Sequence, residues 1–345
     1  MRFYELVLSS PSAGQSPITP TNTQVPTSGP MPMEVSTTSG PSNIVKTWTS
    51  HPAGKYDAGA QNISFDMLVM PASAAVGGST LTIEGISLDD LKHGVDFTGL
   101  DFVLSAGFKK GLPLANPKHF GVIAAGNIFQ SFANWEGTDM SLTFVIFPGG
   151  LNTTLVLHWP ANTELSVAIQ NMLNIAYPGV PVNINIGSFL QGHDEIHADS
   201  LDSMAQFISA LTLNQGSEVS ITLQNGVFNV SDSTYVPNVV GIYFEDLIGQ
   251  PTWIEPQIMQ VKLTMRADIS VGSIIFMPTG MQSQPGLVST LAAAIPGRIN
   301  YVPTFPGKFS VIGIRHIGNF RSSDGSQWAT LVNCVPVAIQ ENAPT

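Results

Sequence analysis

From Ile63 onward most of this chain is written in short runs whose apolar residues recur at every second position, and that period constrains its fold more than any motif does. A strand sends successive side chains to opposite faces, so alternation specifies sheet with one face buried, whereas a helix needs a period of about 3.6. "NISFDMLVM", "STLTIEGISL" with Leu81 and Ile83, "DFVLSAGFKKGLPL" and "GVIAAGNIFQSFANWEGTDMSLTFVIF" read as strands broken by Gly and Asn turns. A short helix is expected over Leu88 to His93. Residues 63–150 are therefore expected to form a β-barrel or sandwich. Gly107, Gly111, Gly121 and Gly126 fit bulges and close backbone approach. No strand-to-helix step follows them, so they do not read as a phosphate cradle.

The chain starts differently. "FYELVL" alternates and gives a first strand over residues 2–8, but Ser9 to Gly40 is dominated by Pro, Ser, Thr and Gly. Such a segment lacks the apolar area to fold alone, so residues 1–62 are read as one strand plus a long excursion, either mobile or draped on a neighbouring subunit. Residues 151–215 change period. "ANTELSVAIQNMLNIAYPG" offers Thr163 as a cap, then Leu165, Ala168, Ile169, Met172, Leu173 and Ala176 at helical spacing before a Pro-Gly stop. "SLDSMAQFISALT" opens at Ser200, with Leu201, Met204, Phe207, Ile208 and Leu211 on one face. With the flanking strands "TTLVLHW" and "VPVNINI", this is an α+β insert. From 216 to 345 the alternation returns. "SEVSITLQNGVFNVSD" is a hairpin around Asn225-Gly226, and later strands complete a second barrel-like unit. No short-period repeat is visible.

A length of 345 residues is enough for two or three domains, and charged residues are only 11% of the chain. A net charge of −11 leaves no basic surplus to displace counterions from a phosphate backbone, so specific nucleic-acid binding is excluded as an expectation. One cysteine, Cys334, allows neither an internal disulfide nor a cysteine-built metal cage, and its apolar run "WATLVNCVPVAI" marks it as a buried small side chain. "MRFYELVLSS" is too short and polar for a signal peptide, and no window reaches ~18 uninterrupted apolar residues, so a soluble product of a reducing compartment is expected.

Chemistry-bearing candidates are few. "GHDEIH" sets His193 and His197 four apart, as in the helical zinc motif, but Asp194 follows the first histidine and Glu195 falls one place late for a general base. The plainer reading is a polar loop or helix start with solvated histidines. Asp89-Asp90 sits where a helix begins and complements its dipole. His316, in "GIRHIGNF", is read as a structural hydrogen-bonding group or a subunit contact, and Arg315 and Arg321 as interface residues. No catalytic residue, cofactor site or metal site is assigned.

Several stretches together resemble a known family. "TLTIEGISLDDL", "VDFTGLDFVLSAGFKKGLPLANPKHFGVIAAGNIFQSFANWEGTDMSLTFVI", with its Gly111–Pro117 and Asn134–Asp139 runs, "HWPANTELSVAIQNMLNIAYPGVPVNINI", Val239 to Pro278 and Phe305 to Cys334 are similar, in order, to the baseplate hub proteins of tailed bacteriophages. The resemblance covers roughly four fifths of the chain and leaves residues 9–55 unmatched. It implies two tube-like β-barrel domains around the insert, and a homotrimer whose six barrels form a pseudo-sixfold ring. It also implies a structural, non-enzymatic role in the virion tail baseplate, assembled in the host cytoplasm. The implied partners are a tail spike, a tail tube or its initiator and other baseplate proteins, with DNA passing through the lumen and no membrane insertion. Two alternatives stand beside it: a tail-tube or initiator ring protein, and a metal-dependent or wall-degrading hydrolase centred on His193, Glu195 and His197.

Overall fold

Most of the alternating runs form strands among the described residues. The computed structural model describes residues 1–10, 44–74, 78–109, 116, 119–147, 154–178, 180–189, 193–232, 235, 239–278, 305 and 307–337. In chain order the elements begin with β1 (Arg2–Ser9), β2 (Ile44–Thr49), β3 (Asn62–Val69), β4 (Ser79–Glu84), α1 (Leu88–Lys92), β5 (Asp101–Phe108), β6 (Gly121–Glu136) and β7 (Asp139–Phe147). There follow β8 (Leu155–Trp159), α2 (Leu165–Ala176), β9 (Val182–Asn185), β10 (His193–Ala198), α3 (Leu201–Leu213), β11 (Ser220–Gln224) and β12 (Val227–Ser231). Last come β13 (Val239–Gly241), β14 (Thr252–Glu255), β15 (Ile258–Thr264), β16 (Ile274–Met277), β17 (Gly307–Asn319) and β18 (Trp328–Pro336). In β3 the period is strict: Ile63, Phe65, Met67 and Val69 are buried, and the residues between them are half-exposed. The protein is mainly β, as the sequence predicts. Most of the excursion, residues 11–43, lies outside the described residues, and its end supplies β2.

Among the described residues thirteen strands share one sheet, in the order β14-β15-β18-β17-β3-β4-β7-β6-β5-β1-β2, with β16 on β17 and β13 on β16. Two apolar cores sit against it. One gathers Tyr4, Leu6, Trp48, Phe65, Leu81, Phe102 and Phe144 from the first half; the other gathers Val261, Leu263, Ile275, Phe309, Val311 and Val332 from the second. The expectation of two closed barrels is corrected here: among the described residues no cylinder closes. The reason is local. The edge of β3 that closure of the first half needs is taken by β17, in an antiparallel ladder from Ile314–Val69 to Asn319–Ser64. In the second half the link between β16 and β15 is made by residues 242–248, which form no strand: the Ile242 N–H donates to the Phe276 carbonyl of β16 (2.9 Å), and the Ile248 N–H to the Lys262 carbonyl of β15 (2.8 Å).

The halves repeat one topology that the sequence hides. The ladders β3–β4, β4–β7, β5–β6 and β6–β7 recur in the same chain order, all antiparallel, as β14–β15, β15–β18, β16–β17 and β17–β18. Each long hairpin carries one bulge. Phe129 is extra between the pairs Ile128–Ile146 and Gln130–Val145, and Ile312 between Val311–Cys334 and Gly313–Asn333. Both strands then run the same distance to their ends at Glu136 and Asn319.

The insert has its own core, where α2 and α3 pack on β8–β10 and on β11–β12–β9. The Asn225-Gly226 hairpin forms as read, with Gln224 opposite Val227 and both turn residues at positive φ (53° and 77°). It lies in the insert rather than in the closing β unit, because β12 pairs in parallel with β9 and buries Phe228 and Val230 among the insert's side chains. Helix α2 buries the expected stripe, but Thr163 does not cap it. Glu164 holds the cap position, and the first helical N–H, from Leu165, donates to the Phe189 carbonyl at 3.0 Å. Ser200 does cap α3, whose Phe207 faces outward rather than into the core.

Candidate functional site

The most heavily furnished place in the molecule is the joint where β3 meets β17. Gly318 lies opposite Phe65, and a Cβ at 318 would stand 2.2 Å from Phe65 Cζ, so glycine admits the ring. Phe65 in turn meets Trp328 edge-on at 5.3 Å. His316, 1% exposed, shares a 3.0 Å hydrogen bond between Nδ1 and Thr330 Oγ1; that hydroxyl also accepts the Arg266 backbone N–H at 3.0 Å. Burial drops the His316 pKa to about 4, so the ring is neutral at pH 7. It is a structural hydrogen-bonding group, one of the two roles expected of it.

The arginines read as interface residues have partners within the chain. On the outer face Arg315 forks onto Asp66, with Nε donating to Oδ1 at 2.7 Å. The Arg321 guanidinium donates to the carbonyls of Ala58 and Ala60. From β1, Arg2 donates to the carbonyls of Asn319 (2.6 Å), Phe320 (3.3 Å), Ser322 (2.5 Å) and Asp324 (2.6 Å), tying the β17–β18 turn to the first strand.

Beneath the joint is an ionic cluster that sequence reading missed. Arg266, 2% exposed, donates from Nε and Nη2 to both carboxylate oxygens of Asp268 (2.7 Å each) and from Nη1 to Asp246 Oδ2 (3.1 Å). His119 Nδ1 lies 3.8 Å from Asp246 Oδ1. Burial first, then the Arg266 charge, pulls the His119 pKa down against the two aspartates. The backbone around Arg266 is held from three sides. The Ala267 N–H donates to the His119 carbonyl (2.8 Å), Gln224 Nε2 to the Ile269 carbonyl (3.0 Å), and the Val271 N–H to Gln224 Oε1 (3.0 Å). First half, insert and second half meet on this loop. The one available signal was an Arg and an Asp two apart just after an apolar strand in a chain poor in charge.

From His193 the "GHDEIH" run is strand, not helix or loop, because β10 pairs with β8. A bulge sets Glu195 beside His158, with His158 Nδ1 3.6 Å from Oε1 and His197 Nε2 3.6 Å from Oε2, all three solvent-exposed. His193 pairs through its backbone with Trp159, and its side chain lies outside the described residues. Among the described residues no group of three or more His, Cys, Asp and Glu side chains is arranged to hold a metal ion.

The remaining candidates serve the fold. Ser87 caps α1, accepting the Asp90 N–H, while Lys46 of β2 pairs with buried Asp90 at 2.7 Å. Burial pushes the Asp90 carboxyl up, but bonds from Lys46 and Ser87 outweigh it and leave the pKa below the usual value. Cys334 is buried, its thiol is pushed up to about 12 by burial, and Sγ points at the Met259 carbonyl (3.4 Å). Gly107 and Gly121 are close approaches, to Phe120 and to Ala267, while Gly111 lies outside the described residues. Among the described residues no helix is long and apolar enough to cross a membrane.

No protein-family model and no curated protein matches this chain. Among solved structures it is similar to a tail protein from Neisseria meningitidis MC58, at 9% identity and a TM-score of 0.44 over 83% of this chain and 94% of that one. It is also similar to the 43 kDa tail protein of prophage MuSo2 from Shewanella oneidensis, at 7% identity and a TM-score of 0.47 over 82% and 96%. The lidded PdpA–VgrG complex from Francisella matches at 7% identity and a TM-score of 0.41 over 97% of this chain and 53% of that chain.

Proposed function

We propose that this chain is a structural hub of a bacteriophage tail baseplate, a ring joining a sixfold tail tube to a threefold spike and surrounding the path of DNA. The observation that carries the reading is the duplicated five-strand unit inside one sheet. A chain holding two equivalent β units presents six of them when three copies associate, so a trimer offers near-sixfold symmetry to one neighbour and true threefold symmetry to another. The resemblance of the sequence to hub proteins supports the same reading, and so does the acidic balance, since a net charge of −11 suits a lumen that lets DNA pass without gripping it. The furnished residues fit this role: His316 is neutral, Arg266 and Asp246 are buried and paired, and each braces a joint instead of presenting a reactive group to solvent.

The test is assembly. Purified full chain, alone and mixed with the spike protein of the same phage, should sediment as a trimer or convert to one on mixing. A chain that stays monomeric in both settings rejects the hub. Zinc analysis of the same preparation separates the hydrolase alternative, since stoichiometric bound metal would support that reading instead.

A further inference from the structure

The charges of this chain are unevenly placed, and the insert holds acids without cations. Between Lys118 and Lys262 there is not one Lys or Arg, while half of the chain's 24 acids fall there. Among the described residues the ion pairs of Lys and Arg go to Asp66, Asp90, Asp246 and Asp268, none of which lies in the insert. None of the 12 residues of α2 is charged. Its outward face carries Val167 (49% exposed), Asn171, Asn174 and Ile175 (82% exposed), in line with Glu164 at the cap position. The Glu164 carboxylate accepts from the hydroxyls of Ser166 (3.5 Å) and Ser188 (2.9 Å), which orient it without neutralising it. An uncharged, partly apolar centre with a carboxylate at one end has the make-up of an interface core and its rim.

A matching surface lies on the second β unit. β16 sits between β13 and β17, with Val239 beside Ile274, Ile274 beside Ser310 and Phe276 beside Lys308. Ile275 and Phe309 are buried in the second core, so Val239 (50% exposed), Ile274, Phe276 (38% exposed) and Lys308 point outward. β13, β16 and β17 contain no Asp or Glu, and among the described residues no carboxylate pairs with Lys308.

We infer that α2 of one copy docks on the outward face of β13, β16 and β17 of a second copy, with Glu164 against Lys308, Val167 against Phe276 and Ile175 toward Val239. Two observations commit the occupant to a second copy. The first is charge: Glu164 has no cation within its own insert and Lys308 has no anion on its own sheet face, so each supplies what the other lacks. The second is size. Glu164 to Ile175 covers about 16 Å of helix. Lys308 to Val239 is two steps across strands and two residues along them, about 12 Å, and the Glu and Lys side chains make up the difference. Because the contact joins two different faces, each copy gives one and receives one, which builds a ring rather than a twofold dimer. Only the copy number of that ring rests on the hub reading above.

The experiment uses full chain, alone and with the spike protein, in whichever setting wild type assembles. Glu164→Lys and Lys308→Glu should each raise the dissociation constant of the assembly by about tenfold or more in sedimentation at low salt, since each sets like charges together. Combining the two substitutions should return it to within about threefold of wild type, a rescue that damage to the insert would not give. In a second readout, full chain carrying Val167→Cys and Phe276→Cys together is treated with diamide, which takes up the two thiol hydrogens as the disulfide forms. Non-reducing gels should show covalent species larger than a dimer. A mixture of the two single cysteine variants should stop at dimers, and each alone should give none, which also controls for Cys334. Where a charge variant fails to fold, the cross-link alone decides. If wild type assembles but neither rescue nor cross-link appears, these faces serve another occupant, the contact is wrong and the hub reading survives. If wild type is monomeric in both settings, both fall.

Discussion

At the scale of single residues the fold rests on fits that tolerate little change. Gly318→Ala pushes a methyl into the buried Phe65 ring and is expected to cost about 1–3 kcal/mol, read as a lower urea midpoint with an unchanged slope. Two buried titrating groups act in opposite directions on the pH dependence of stability. Burial favours neutral His316 in the fold, so its contribution is complete above the ordinary value of 6.5 and is lost as pH falls from there toward about 4. Burial likewise raises the Asp101 carboxyl from 3.8 to about 7, against one hydrogen bond from Asn127, so the fold holds a proton that the unfolded chain releases. That contribution is complete below 3.8 and is lost as pH rises toward 7. Asp101→Asn should therefore match wild type near pH 4 and exceed it by roughly 2–4 kcal/mol at pH 8. A constant difference across that range in urea titrations would sink the assignment. A structural hydrogen bond was one of two roles legible for His316 from its place between an apolar strand and a Gly-Asn turn, whereas nothing local marked Asp101, whose burial depends on strands that pair far along the chain.

At the scale of elements, period and turn chemistry carried most of the information. Asn225-Gly226 specified its hairpin because two consecutive positive-φ residues match the twist of the flanking strands. Gly226→Ala is expected to cost about 1–2 kcal/mol, measurable as a lower thermal midpoint, since φ at that position is 77°. The cap of α2 was misread because Thr163 has the right chemistry one place early; the tertiary contact from Phe189 serves the helix end instead. Alternation gave each strand a buried face but not its neighbours, since period 2 orients side chains and says nothing about which backbone edge meets which. The "GHDEIH" stretch shows this limit: helix and strand both return a side chain to the same face after four residues, so spacing alone left the element open.

Across the whole molecule, residues of the first half, the insert and the second half meet at the Arg266 loop. Removing the cation leaves Asp246 and Asp268 facing each other with Asp246 buried, so Arg266→Leu is expected to destabilise by about 3–5 kcal/mol. Because the same loop binds His119 from the first half and Gln224 from the insert, hydrogen exchange should rise in β3 as well as β17. A rise confined to the second half would show that the cluster serves only its own core.

What the sequence alone determined is local: a mainly β chain, the two helices of the insert, the primed hairpin and a cysteine with apolar company. Each follows from periods and turn residues within a few positions of one another. The tertiary structure alone decided that the two β halves are repeats, that β3 turns to β17 instead of closing its own barrel, and that scattered charges converge on Arg266. Those outcomes depend on backbone hydrogen bonds between residues far apart in the chain, and the alternating pattern permits many such pairings while preferring none.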